Sequence, residues 1–152
     1  MAQSLMIFNL GDKMISQSKI IVRYAETDKM GIVHHSNYPV WFEIARTDFI
    51  KKLGVPYSVL EEKGLMLPLV DLSCHYIKPA YYEDEIVISA CVSSLQYAKI
   101  EFSYTVKRNV ELLTTGKTVH GFVESKTFRP INVKKFDSGL YEALKTSIEI
   151  DG

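Results

Sequence analysis

Net charge, cysteine and long apolar runs are what this sequence has least of. Lys and Arg together number 18, as do Asp and Glu, so the formal net charge is zero. A balanced chain has no general electrostatic attraction to nucleic acid or to an anionic membrane surface. Neither is expected as a partner. The doublets Lys51-Lys52, Lys107-Arg108 and Lys134-Lys135 are short and read as solvated surface. The 2 cysteines, Cys74 and Cys91, show neither metal-ligand spacing nor a CxxC pair. Both lie in apolar alternating stretches, which suits reduced buried thiols and a cytoplasmic location. A disulfide between them stays open. No apolar run approaches the roughly 20 residues that cross a bilayer. The opening "MAQSLMIFNLGDKMISQSK" has no basic segment ahead of its apolar patch, and Asp12 and Lys13 interrupt that patch. It is a poor signal peptide. Residues 1–18 are read as an extension outside the core, open to disorder, with Met14 an alternative start.

Repeats, low-complexity tracts and linkers are also missing. That leaves one domain over residues 19–152, long enough to bury a core. "KIIVRYAE" (19–26) alternates as a strand. From Val40 to Leu53 the period changes: Trp41, Ala45, Phe49 and Leu53 recur every four residues, as in an amphipathic helix. Gly54 stops it. "PYSVLEEKG" reads as a short second helix. Four stretches rich in Val, Ile, Thr, Tyr and Phe then read as long strands: "LPLVDLSCHYIKPA", "DEIVISACVSSL", "AKIEFSYTVKRN" and "LLTTGKTVHGFVESKTF". Short breaks between them suggest antiparallel meanders. "DSGLYEALKTSI" reads as a last helix capped by Asp137 or Ser138. The fold class is α+β: a five-stranded antiparallel sheet against one long helix. Ile and Val alternating with Tyr and Phe suggest a second apolar sheet face, which a further subunit would cover.

Chemistry concentrates in "AETDKMGIVHHSNYPVWFE" (25–43), between the first strand and the helix. A loop carboxylate, Asp28, precedes Gly31, whose freedom at φ > 0 lets the loop fold back over a helix start. Ser36 or Asn37 suits the N-cap, and Pro39 suits the first turn. First-turn amides have no intrahelical partner and carry the positive end of the helix dipole. Around His35 to Tyr38 they can hold an oxyanion. An Asp in such a loop also commonly closes an Asx-turn. Adjacent histidines point apart, and His75 and His120 lie on distant strands, so no metal is expected. Trp41 reads as core. Tyr38 is the better candidate for a pocket wall.

Asp28, Gly31, His35, Tyr38, Trp41 and Glu43, followed by Ala45-Arg46, resemble the motif of the hotdog-fold thioesterases of the 4-hydroxybenzoyl-CoA thioesterase-like family. "LVDLSCHYIKPAYYEDEIVI" resembles that family's second and third strands, and the likeness covers about residues 19 to 145. The resemblance implies a hotdog fold, with the sheet wrapped around the central helix. It implies an acyl-CoA thioesterase acting on an acyl-CoA or acyl-carrier-protein thioester. Asp28 would be nucleophile or general base, and His35 would be catalytic beside the helix amides. Ser36, Asn37, Tyr38 and Lys99 are the candidate substrate contacts; Arg129 and Lys134 are further cations for CoA phosphates. CoA belongs to the substrate, and no cofactor is expected. Glu43 is the rival acid, because another hotdog branch carries its acid on the helix. It lies roughly 12 Å along the helix from His35, and is read as structural, bonded to the loop or to Arg46. His34 departs from the aromatic expected there. The family implies a homodimer or homotetramer with sites at the dimer interface. A non-catalytic acyl-CoA or carrier-protein binding module and an acyl-chain dehydratase of the same fold are the alternatives.

Overall fold

The computed structural model describes the backbone of residues 3–8 and residues 13–55 and 57–148 in full. Strands β1 (Gln3–Phe8) and β2 (Met14–Ile21) come first. The central helix α1 (Asn37–Lys52) and the short α2 (Tyr57–Glu62) follow. Then come β3 (Leu65–Met66), β4 (Leu69–Tyr76), β5 (Glu85–Leu95), β6 (Lys99–Arg108), β7 (Glu111–Gly121) and β8 (Val123–Glu124). Helices α3 (Val133–Phe136) and α4 (Ser138–Ile148) close the chain. The main sheet has the order β1-β2-β5-β6-β7-β4, antiparallel throughout, and β3 pairs with β8 apart from it. Strands β2, β5, β6, β7 and β4 with α1 make the expected α+β hotdog arrangement. β1 adds a sixth strand.

α1 lies diagonally across the inner face. Near its start, Phe42 stacks on Tyr104 of β6 at 4.4 Å between ring centroids. Further on, Phe49 meets Phe102 edge-on at 5.7 Å. Tyr38, Trp41, Phe42, Ala45, Phe49 and Ile50 are buried, which is the apolar stripe read from the sequence begun three residues earlier. The helix sits close because β7 carries Gly116 beneath it: a Cβ there would stand 2.4 Å from the Phe42 ring. Ile86, Ile88, Ala90 and Val92 of β5 and Ile100, Phe102, Tyr104 and Val106 of β6 are buried, and both α1 and α4 pack against β5.

Four expectations need correction. The first long strand is Met14–Ile21, not 19–26, and Tyr24–Glu26 is a single 3-10 turn. Its inward positions include Ser16 and Ser18, which hid its start. They are polar because α1 brings charge to them: the Lys52 ammonium donates to Ser16 at 2.8 Å, and Ser18 donates to Asp48. The stretch read as an extension contributes β1, whose register runs from Gln3 opposite Lys19 to Phe8 opposite Met14. Residues 1–2 and 9–12 of it lie outside those described. β4 does not meander into β5; it pairs with β7 at the far edge. The segment after it crosses beneath the sheet ends, held where Ile77 and Lys78 N–H groups both donate to the Leu113 carbonyl and Val22 N–H donates to that of Asp84. Finally, the outer sheet face is mixed rather than a second apolar layer: Gln17, Ser89, Cys91, Ser103, Thr105, Thr115 and Lys117 lie on it beside Ile15. The buried Ile, Val, Phe and Tyr of β5 and β6 belong to the inner face, while Ile15, Ile21, Val87 and Val119 point outward.

Candidate active site

Between Glu26 and α1 the chain makes a small hairpin. Thr27 bridges Val33, and Asp28 N–H donates to the Ile32 carbonyl at 2.9 Å. Gly31 closes the turn at φ +81, a conformation that costs a side-chain-bearing residue about 1–2 kcal/mol. Gly31 N–H donates to the Asp28 carbonyl at 2.9 Å. Val33 N–H then donates to the Ala80 carbonyl, tying the hairpin to the segment after β4.

This places Asp28, His35 and Tyr38 in the wall of one cleft of about 310 Å³. Ile32, Val33, Tyr76, Ile77, Lys78 and Pro79 complete it. Asp28 does make the Asx-turn: its Oδ1 accepts Met30 N–H at 2.8 Å. That leaves Oδ2 with no hydrogen-bond partner among the described residues. At the start of α1, Asn37 N–H turns back to the His34 carbonyl at 3.1 Å, whereas the His35 N–H has no partner among the described residues. Asp28, with one carboxylate oxygen unpartnered, and His35, with its N–H unpartnered just ahead of α1, therefore line one cleft. Beside them, burial raises the Tyr38 hydroxyl above its ordinary pKa. Thr114 lies next to it but forms no well-aligned hydrogen bond. Tyr76 sits across the opening, edge-on to Tyr38 at 5.1 Å. Partial burial, with the Cys74 thiol nearby, pushes its pKa up to about 12, so it is a hydroxyl donor at neutral pH.

The other candidates fall elsewhere. The Ser36 hydroxyl bonds His34 Nδ1 at 2.8 Å and makes no cap bond. The Asn37 amide donates to the carbonyls of Glu26 at 2.9 Å and His34 at 3.1 Å, so it braces the loop. Lys99 opposes Gly121, at the end of β7 remote from Thr114. Seven residues of strand, roughly 23 Å, separate the two, and the single chain does not bring Lys99 to the cleft. Lys134 lies over the Tyr97 and Tyr141 rings at that same far end. Lys78 is the cation that lines the cleft, paired with Glu111 at 2.8 Å. Glu43 is exposed and lines a separate cavity with Arg46, Tyr57 and Glu61. It makes neither of the bonds expected of it, to the loop or to Arg46. Among the described residues no His, Cys, Asp and Glu cluster suits a metal ion.

Two contributors escaped the sequence reading. Tyr76 reaches the cleft from β4, far away in sequence and with no local pattern to flag it. Glu26 is 5% exposed, with its carboxylate bonded to Trp41 Nε1 at 2.8 Å. Its spacing of fifteen residues from Trp41 crosses a loop, so no helix or strand period reveals the pair.

Residues 22–144 match the model of the thioesterase-like superfamily. The chain is 39% identical over 122 residues to a putative acyl-CoA thioesterase, YneP, of Bacillus subtilis, covering 80% of this chain and 88% of that one. It is 28% identical to the acyl-CoA thioesterase YbgC of Haemophilus influenzae over 82% of this chain and 92% of the relative. Among solved structures, a DHNA-CoA thioesterase from Staphylococcus aureus superposes with a TM-score of 0.83 at 36% identity, covering 86% of this chain and 89% of that one. Fold, loop motif and sequence agree, and the chain belongs to the thioesterase-like superfamily.

Proposed function

We propose that the chain is an acyl-CoA thioester hydrolase whose reaction runs in the cleft of Asp28. The observation that carries this reading is that Asp28, with Oδ2 unpartnered, and His35, with its N–H unpartnered among the described residues, line the same cleft. A thioester carbonyl seated there presents its oxygen to that N–H, where the helix dipole and the fixed donor favour the charge that develops on attack. Asp28 Oδ2 then acts in one of two ways. As a general base it takes a proton from water, which adds to the carbonyl carbon. As a nucleophile it forms a mixed anhydride, which water cleaves afterwards. Either route breaks the C–S bond, releases CoA thiol and leaves the free acid. The family's relatives named as acyl-CoA and DHNA-CoA thioesterases support the substrate class.

The working unit on this reading is at least a homodimer. β4 is an edge strand, largely exposed, with Leu69 and Val70 more than half exposed. An unpaired edge of this kind invites a second strand, and two-fold pairing closes it. Tyr76 and Ile77 at the end of β4 line the cleft, so a partner strand paired there would stand against the site. A homotetramer would place two such dimers together.

Thiol release measured over short, long and aromatic acyl-CoAs, and over acyl-carrier-protein thioesters, tests the proposal. Turnover of at least one CoA thioester is expected. Binding of all with turnover of none would favour the non-catalytic module.

A further inference from the structure

Glu26 is a buried carboxylate that the proposed chemistry does not use. Taking a carboxylate out of water is costly unless its oxygens are matched by donors. Both are. Oε1 accepts Arg23 N–H at 2.8 Å, with Arg23 Nε at 3.5 Å, and Oε2 accepts Trp41 Nε1 at 2.8 Å. The Glu26 carbonyl accepts two more bonds, from His34 N–H at 2.8 Å and the Asn37 amide at 2.9 Å. One residue thus joins the end of β2, the return of the Asp28 hairpin, and the first and second turns of α1. Asp28 follows two residues later, and His35 sits between the two segments Glu26 clamps. Both neighbours of the carboxylate are N–H donors, so an amide would turn an NH₂ group toward one of them. The site calls for a buried acid, and Glu26 is not among the residues that line the cleft.

We infer that Glu26 is a positioning residue: it sets the gap between the Asp28 carboxylate and the His35 N–H. This rests on the hydrolytic reading of the cleft. Reacting groups displaced by about 1 Å can lose on the order of 10²-fold in rate. Loosening this clamp therefore falls on kcat more than on binding.

The test compares Glu26→Gln, Glu26→Ala, Trp41→Phe and Asp28→Asn, each assayed below its own melting transition with the folded fraction measured. Per folded site, Glu26→Ala is expected to lower kcat about 10- to 10²-fold. KM should stay within a few-fold, with Glu26→Gln between Ala and wild type. Trp41→Phe, which keeps the acid and removes one donor, should shift kcat the same way. Adding Glu26→Gln to Asp28→Asn should cost no further activity, since the clamp acts through Asp28. A rate loss that disappears on correcting for folded fraction, or one that adds fully to Asp28→Asn, overturns the inference. Wild-type turnover by Asp28→Asn would overturn the site itself, a separate result.

Discussion

Asp28 reconciles two readings that a sequence sets against each other. Its Oδ1 closes an Asx-turn and its Oδ2 stays free among the described residues, so the structural bond also orients the oxygen to which the proposed function gives the chemistry. Glu43 has the same functional group without that setting: it is exposed and lies in a different cavity. Glu43→Gln is therefore expected to keep kcat within a few-fold of wild type in a thiol-release assay. A loss as deep as that expected at Asp28 would mean the wrong acid was chosen. That Asp28, His35 and Tyr38 would share one cleft was legible because residue types fall at fixed spacing in one short stretch. Ser36 and Asn37 were legible as polar residues at a helix start, but not as braces, since their partners are a ring nitrogen and two carbonyls whose positions depend on the folded loop. Tyr76 and Glu26 depend on contacts across the fold and left no local signal.

At the scale of elements, α1 and the sheet are fitted to each other through Gly116. A methyl group there would overlap the Phe42 ring, itself stacked between helix and β6. Gly116→Ala is expected to destabilise by about 1–3 kcal/mol, the usual cost of overpacking, read as a lower denaturation midpoint. An unchanged midpoint would mean that helix and sheet can separate freely. A second device between the same layers is a directed chain of hydrogen bonds. Arg46 Nη1 donates to the Tyr104 hydroxyl at 3.3 Å, and Tyr104 and Thr118 hydroxyls lie 2.6 Å apart. Thr118 is 2.9 Å from His120 Nε2, whose Nδ1 is 3.1 Å from the Leu67 carbonyl. A neutral His120 fits this chain, with Nδ1–H donating to the Leu67 carbonyl and Nε2 accepting from the Thr118 hydroxyl. Burial, with Arg46 nearby, depresses its pKa to about 4. An unfolded histidine titrates near ~6.5. Between those values the unfolded chain binds more protons, so this stability is complete above about pH 6.5 and is lost as pH falls toward 4. The shift is worth roughly 3 kcal/mol. Urea unfolding at pH 7 and pH 4.5 should show wild type losing more stability than His120→Gln. Equal losses would contradict it. Helix periods and strand alternation were readable, yet the placement of β4 was not, because antiparallel neighbours in sequence need not be neighbours in a sheet. Nor was the start of β2, where serines facing Asp48 and Lys52 break the apolar alternation.

For the whole molecule, the outer sheet face that strand alternation suggested would be apolar is mixed, and the exposed β4 edge is the surface that favours association. Light scattering at micromolar concentration should give at least twice the 17.3 kDa chain mass. A monomer that still turns over acyl-CoA would contradict an interface site. No described helix is long and apolar enough to cross a membrane. In the proposed reaction one loop carboxylate, Asp28, drives the chemistry. Thiol release from a turned-over acyl-CoA by Asp28→Asn, beside its melting temperature, tests this most directly. The expected result is an unchanged melting temperature with kcat lower by about 10²- to 10⁴-fold; near-wild-type kcat in a normally folded variant would contradict it.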